Sequence, residues 1–257
     1  MTAVATAFAV VFAKEVFGGT GMNIFNVALV TRAFLFFAYP AHMSGDMPFV
    51  KTTPAFGMGA GTVVDGFTGA TPLGQVATAV GGDLQLTDIT GQPLGACDAF
   101  TGLIAGSPGE TSMIAIAIGA AILLITGIAS WRVMLSVFAG GFGMAALAHA
   151  LPSVTYPASL IDPCSQLCYG GFAFMAVFMA TDPVTGARTR AGQWIYGLLI
   201  GILAILIRVY NGGYPEGAML AVLLMNAFAP LIDHCVVQRN IKRRLRRAAE
   251  KSSNPAN

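Results

Sequence analysis

Charged side chains are scarce in this sequence. Only 10% of its 257 residues are Asp, Glu, Lys or Arg, whereas 55% are hydrophobic, and the mean hydropathy is +0.70. Because soluble domains carry about 25% charged residues, a soluble globular protein is excluded. The net charge of +2 does not indicate nucleic acid as a partner. The composition predicts an integral membrane protein.

Histidine and cysteine are also rare. Of three histidines and four cysteines, the close pair is Cys164 and Cys168, with no neighbouring His and no second pair. A disulfide in an exported loop and a small metal site both stay open for this pair. The sequence offers no metal-binding motif, and we predict His149 and His234 to be interfacial.

Apolar segments dominate the second half of the chain, residues 113–237. Five of them are long enough, or nearly so, to cross a bilayer, which takes about 20 residues. They are 113–130, 133–151, 167–181, 194–209 and 218–237. Glycines recur in the second and fourth segments and predict close helix packing. The predicted fold class is an all-α polytopic membrane protein with about five full transmembrane helices.

Residues 1–40 predict short or broken helices. The apolar segment 2–13 has only about half the length of a span, so we expect it to be the end of a longer helix. Gly18 and Gly19 follow, and such a break at membrane depth must be covered by protein or line a cavity. They are candidates for a quinone or ion path; an ordinary surface turn is the alternative. The segment 24–39 contains Arg32 and stops at Pro40, which favours a short helix.

Residues 41–112 form a long polar loop with one lysine, Lys51, and six acidic residues. Its end supplies the Ser107 hydroxyl and the Glu110 carboxylate just before a helix, with Thr111 or Ser112 as the N-cap. Contact with a ligand and simple capping both remain open for Ser107 and Glu110.

Basic residues define the predicted orientation. Six of the fourteen cations lie between Arg239 and Arg247, in the tail 238–257. The positive-inside rule then places the C-terminus in the cytoplasm and the loop 41–112 in the periplasm of a bacterial inner membrane.

Three acidic residues, Asp182, Glu216 and Asp233, lie near predicted span ends. Acids inside membranes are functional candidates, so each is a candidate for an ion path. Local roles compete with this interpretation. Asp182 terminates a helix, Glu216 suits a helix N-terminus, and Asp233 can pair with Arg239 or His234.

The loop contains the segment Asp-Gly-Phe-Thr-Gly-Ala-Thr, residues 65–71. It resembles the acceptor motif for covalent flavin attachment, in which a transferase joins the phosphate of FMN to the last threonine. The resemblance implies FMN on Thr71, and the motif includes Asp65, Gly66, Thr68, Gly69 and Ala70. A glycine-rich turn is the alternative. No His or Cys lies nearby in sequence to activate Thr71, so any chemistry is done to this threonine.

Further segments extend the resemblance to nearly the whole chain. They lie at 14–23, 32–40, 44–46, 178–184, 207–208, 214–217, 229–234 and 240–244. Together they resemble the C-terminal part of NqrB, a membrane subunit of the sodium-translocating NADH:quinone reductases, whose family also includes RnfD of the Rnf-type complexes. The run Arg-Ala-Phe-Leu-Phe-Phe-Ala-Tyr-Pro at 32–40 is more similar to NqrB than to RnfD.

The resemblance implies a subunit of a respiratory, multi-subunit pump. Electrons from NADH would pass through FMN towards ubiquinone, coupled to sodium export, with riboflavin as a further family cofactor. A riboflavin or quinone site built from helices outside this sequence cannot be assigned to its residues. Two alternatives stay open, an RnfD-type membrane protein and a transporter or channel without flavin.

Overall fold

The computed structural model describes residues 1–40, 43, 70–79, 85–87, 93–102, 104–107, 109–153, 155–211, 214 and 216–253. Within these ranges the regular structure is helical, apart from two isolated β-bridges. The α-helices are α1 (Thr2–Ala13), α2 (Val27–Ala38), α3 (Pro72–Thr78), α4 (Ala96–Thr101), α5 (Met113–Ile125), α6 (Trp131–Ala150), α7 (Pro163–Cys168), α8 (Phe172–Phe174), α9 (Arg190–Tyr210) and α10 (Ala218–Ser253). The all-α class is confirmed for this part of the chain.

Helices α6 and α9 pack with their backbones in close approach. A Cβ atom on Gly201 would lie 2.2 Å from the Val137 carbonyl oxygen, and one on Gly140 would lie 2.3 Å from that of Leu198. Only glycine permits this distance between the helices. The predicted close packing is confirmed at Gly140 and Gly201, whereas Gly143, predicted on the same face of α6, has open space at its Cβ position.

The segment 167–181, predicted as a single span, is not one continuous helix. Gly170 has φ +63°, and the chain changes from α7 to the short α8 and then to a π-helix, Met175–Met179. A left-handed residue ends a helix, so two adjacent glycines divide this apolar segment. The first predicted span, 113–130, is also shorter than expected, because α5 ends at Ile125.

Helix α10 contains 36 residues and continues through Pro230 into the basic tail. The expected boundary at 237 is therefore not a helix end. At 1.5 Å per residue α10 is about 54 Å long, against about 30 Å for a hydrocarbon core. Among the described residues, α6, α9 and α10 are the three helices long and apolar enough to cross a membrane.

The N-terminal helices α1 and α2 are separated by the predicted break. A short 3-10 helix, Glu15–Phe17, leads into Gly18 and Gly19, which have φ of +114° and +89°. Asn26 then caps α2 by accepting a hydrogen bond from the Ala28 N–H at 3.0 Å. The short helix expected within 24–39 is confirmed, and so is the break before it.

Candidate functional site

Thr71 occupies the N-cap of α3. Its Oγ1 accepts a hydrogen bond from the Gly74 N–H at 3.0 Å, and Pro72 follows as the first helical residue. Proline suits this position because its fixed φ matches the helix and its missing N–H is not needed there. The hydroxyl proton of Thr71 is not used in the capping bond.

The buried face of α3 holds Thr71 in place. Leu73 is 2% exposed, and its Cδ1 would lie 2.6 Å from a Cβ on Gly170. The Gln75 side chain adds two anchors, since its Nε2 donates to the carbonyl oxygens of Ala70, at 3.2 Å, and Thr87, at 2.8 Å. Thr71 is thus fixed against the break between α7 and α8.

Thr71 lines a cavity of about 300 Å³. Apolar walls come mainly from Phe36, Leu73, Ala77 and Ile104, and the polar lining includes Arg32, Glu110, Tyr214 and Glu216. Binding sites for small molecules and cofactors are typically apolar cavities of this size or larger with a few convergent polar groups. The set fits a cofactor with an apolar ring system and polar edges.

An ion cluster lies in this cavity. A guanidinium N–H of Arg32 donates to the carboxylate of Glu216, and the other terminal nitrogen lies 4.0 Å from Oε2 of Glu110. Arg32 belongs to α2, whereas Glu216 precedes α10 and Glu110 precedes α5. The cluster therefore ties three distant parts of the chain together at the cavity.

Glu110 is nearly fully buried, with 7% of its surface exposed. Its Oε1 accepts a hydrogen bond from the Ser107 N–H at 3.2 Å, and its Oε2 would lie 2.9 Å from a Cβ on Gly171. Burial, followed by the neighbouring carboxylate of Glu216, raises the pKa of Glu110, and Arg32 only partly opposes this. Hydrogen bonds from the Ser107 backbone and side chain also oppose this rise in the pKa of Glu110. Ser107 does not line the cavity, and Ser112 is the N-cap of α5.

Tyr214 packs beside the ion cluster. Its ring meets Phe36 edge to face at 4.7 Å between centroids, and 5% of the residue is exposed. Burial and the carboxylate of Glu216 raise the pKa of its phenol, so the hydroxyl stays protonated near neutral pH. Tyr214 thereby supports one wall of the cavity.

Arg208 holds the surrounding loops. This buried residue of α9 donates to the Gln166 carbonyl oxygen and, at 3.4 Å, to that of Glu216. Its guanidinium carbon lies 5.9 Å from the centre of the Phe172 ring. Arg208 therefore fixes the backbone of Glu216, which in turn orients Arg32.

The remaining predicted site residues lie elsewhere. Gly18 and Gly19 do not line the cavity, and whether they lie at membrane depth stays a prediction. Four motif residues, Asp65, Gly66, Thr68 and Gly69, fall outside the described ranges. Ala70 is the one residue of the motif, besides Thr71, within them.

Asp182 and Asp233 lie towards the other end of α9. Asp182 accepts hydrogen bonds from the Val184 N–H, at 3.0 Å, the Thr185 hydroxyl, at 3.1 Å, and the Asn26 side chain, at 3.3 Å. It connects the break before α2 to the turn after the π-helix. The proposed ion-path role of Asp182 stays a prediction.

Asp233 binds the segment that precedes α9. Its carboxylate accepts from the backbone N–H groups of Arg188, at 2.7 Å, and Thr189, at 3.0 Å. The expected pairing with Arg239 or His234 is therefore wrong. The acid thus holds the N-cap residue of α9, Thr189, and the residue before it.

Arg32 was not predicted from the sequence as part of the Thr71 site. A signal existed, because an arginine within an apolar segment needs an acidic partner, and Glu216 was an acid without an assigned partner. The cysteines form no disulfide in the structure: Cys97, Cys164 and Cys235 are exposed and Cys168 is half-buried. Across the described ranges, no group of three or more His, Cys, Asp or Glu is placed to hold a metal ion.

Span-length helices, with a cofactor-sized cavity and a partly exposed ion cluster at one end of α9, define a polytopic membrane protein with a candidate cofactor site. Comparison with known proteins identifies the family within this class. The chain belongs to the NQR2, RnfD, RnfE family, whose sequence model matches residues 1–242.

Named relatives are similar over most of this chain. The NqrB subunit of the Na(+)-translocating NADH-quinone reductase from Pseudomonas paraeruginosa is 52% identical over 245 residues. The proteins of the same name from Ectopseudomonas mendocina and Klebsiella pneumoniae are 51% and 50% identical. The alignments cover 94–95% of this chain but only 56–57% of those relatives, so the chain spans little more than half of their length.

Proposed function

We propose that this chain is a membrane subunit of an NADH-quinone reductase that exports sodium, and that it carries FMN as a phosphoester on Thr71. The observation that carries the flavin site is the position of Thr71 on a cofactor-sized cavity with an ion cluster. The names of the relatives support the reductase. Its partners are the other subunits, a flavin transferase, ubiquinone and sodium.

The local structure of Thr71 suits modification by another enzyme. Its Oγ1 accepts from the Gly74 N–H, and an ester oxygen can still accept a hydrogen bond after the hydroxyl proton is lost. No described residue contacts Thr71 as a general base, so the transferase would supply that group. When bound, the flavin would supply electron transfer, and the residues of the chain would orient the ring and exclude water.

Thr71 and Glu216 line the same cavity, so the threonine at the end of the flavin motif and the acid before α10 lie at one end of α9. We propose that this end is periplasmic, that the basic end of α10 is cytoplasmic and that the membrane is the bacterial inner membrane. Riboflavin remains a family cofactor without a proposed site in this chain.

Two variants test the flavin proposal. Thr71→Ala, coexpressed with the transferase, should lose in-gel flavin fluorescence and the FMN mass on the intact chain. Thr78→Ala is the matched control, since Thr78 is a second hydroxyl on α3 that lines the same cavity and should retain the adduct. Fluorescence kept by Thr71→Ala would refute the assignment.

The same experiment separates the alternatives. A transporter or channel without flavin gives no chromophore that survives denaturation. An RnfD-type membrane protein would also carry flavin, but the 50–52% identity to reductase subunits favours the reductase.

A further inference from the structure

Arg32 is the single cation among the described residues that line the Thr71 cavity. Its side chain is 34% exposed, so about a third of it is not covered by the protein. The guanidinium is held by Glu216 and by the more distant Glu110. The orientation of the cation is therefore fixed before any cofactor binds.

An ion pair in this position has an energetic cost. The Arg32 and Glu216 side chains are 34% and 27% exposed, so both charges are partly removed from water, which is unfavourable. The cavity has apolar walls, and its charges are weakly screened. A group bound there would experience the field of Arg32 reduced by the field of Glu216.

We propose that Arg32 raises the reduction potential of the flavin carried on Thr71 and that Glu216 limits this effect. The inference rests on the proposed flavin site. It assigns Arg32 as the residue that contacts the ring and Glu216 as the positioning residue.

The chemistry of the ring determines the direction of the effect. Two-electron reduction of an isoalloxazine with uptake of one proton at N5 leaves one negative charge on the side of N1 and the C2 carbonyl. A guanidinium near this edge stabilises the reduced form, whereas an unpaired carboxylate destabilises it; charge near N1 and N5 is how proteins tune flavins. In the titration below, the electrode supplies the electrons and water the proton.

Substitutions of Arg32 and Glu216 should shift the reduction potential of the flavin in opposite directions. Arg32→Gln should move the potential in the negative direction and Glu216→Gln in the positive direction. Each should change the ratio of reduced to oxidised flavin about tenfold, which is about 30 mV for a two-electron couple. Glu110→Gln should have a smaller effect than Glu216→Gln, because Oε2 of Glu110 lies 4.0 Å from the guanidinium.

The experiment is a spectroelectrochemical titration of the purified complex, in which subtracting the Thr71→Ala spectra isolates the flavin on Thr71. In-gel fluorescence first checks that each variant keeps the adduct. Arg32→Lys, which keeps the charge, should stay closer to wild type than Arg32→Gln. Arg239→Gln is the control, because Arg239 lies on the exposed end of α10, and it should leave the potential unchanged.

The outcomes separate this inference from the proposed function. Unchanged potentials, or shifts of the same sign for Arg32→Gln and Glu216→Gln, overturn the inference while the flavin remains attached. A wild-type chain without any adduct overturns the proposed function itself. If Arg32→Gln does not assemble, the shift of Glu216→Gln decides, since a structural role predicts no positive shift.

Discussion

The hydroxyl of Thr189 donates a hydrogen bond to the Asp233 carboxylate at 2.6 Å. The same threonine oxygen accepts from the Gly192 N–H at 3.1 Å and so caps α9. Asp233 therefore fixes α10 against the start of α9, at the end of the molecule opposite to the Thr71 cavity. An acid that also conducted ions would have to exchange these bonds.

Removing the Asp233 carboxylate should destabilise the protein. Asp233→Ala leaves two backbone N–H groups and the Thr189 hydroxyl without their acceptor, and each lost bond of this kind costs about 1–3 kcal/mol. Thermal unfolding in detergent, followed by tryptophan fluorescence, measures the effect. The neighbouring exposed His234→Ala is the control, and equal melting temperatures for the two variants would contradict the anchoring role.

Close packing of α6 and α9 gives a second prediction. Gly201→Ala places a methyl group 2.2 Å from a backbone oxygen that cannot rotate away, and overpacking of this kind costs about 1–3 kcal/mol. Gly143→Ala, on α6, has open space around its Cβ position. It should be neutral or stabilise by up to about 1 kcal/mol. The same melting assay measures both variants. Equal destabilisation by Gly201→Ala and Gly143→Ala would argue against the way α6 packs on α9 in the structure.

These glycine faces show what the sequence could predict. The class of fold, the helices α6 and α9 and their packing faces follow from apolar length and small-residue spacing, which are local properties. The broken segment after α7 was missed because its apolar composition is also that of a span. Gly170 and Gly171 were the available signal for that break.

Contacts between residues far apart in the chain could not be predicted from local sequence patterns. Arg32 and Glu216 are 184 positions apart, and no periodicity relates them. Asp233 was paired in the prediction with sequence neighbours, whereas its partners are 44 and 45 positions away. The flavin motif indicated Thr71, but only the fold places it beside the ion cluster.

The glycine break before α2 carries a functional prediction. Gly19 has φ +89°, a conformation that costs a residue with a side chain roughly 1–2 kcal/mol. Gly19→Leu should therefore change the path of the chain and lower quinone reduction in the assembled complex, while Thr71 keeps its flavin. Val16→Leu, at a position that is 64% exposed, is the control. If Gly19→Leu leaves the rate of quinone reduction unchanged, the break at Gly18 and Gly19 is an ordinary turn without a role in the quinone path.

The raised pKa of Glu110 predicts a pH dependence of stability. Its ordinary value is 4.5, so between that pH and its folded value the folded state holds a proton that the unfolded state has released. The stability contribution of Glu110 is therefore complete in acid, falls as the pH rises through this window and is constant above it.

Urea unfolding of wild type and Glu110→Gln between about pH 4 and pH 8 tests this sign. The difference in unfolding free energy should fall with rising pH, relative to the exposed control Glu15→Gln. A difference that rises with pH would mean that Arg32 dominates and lowers the pKa of Glu110.

The sidedness of the membrane protein is the last prediction. The loop 41–112 has one lysine, whereas the chain has six cations from Arg239 to Arg247. Each cation near the anionic inner leaflet contributes about 1 kcal/mol, so the basic end of α10 should be cytoplasmic and Thr71 periplasmic. Cys97 is exposed on α4 and reports the loop, and Ser252→Cys reports the end of α10.

An impermeant thiol reagent is added to intact spheroplasts in a background in which the other native cysteines are replaced. Cys97 should be labelled and Ser252→Cys protected, and lysis should expose the second site as an internal control. Because the Thr71 cavity and Glu216 lie at one end of α9, labelling of Ser252→Cys with protection of Cys97 would place that whole end in the cytoplasm. The proposed periplasmic position of Thr71 and its flavin would then be wrong.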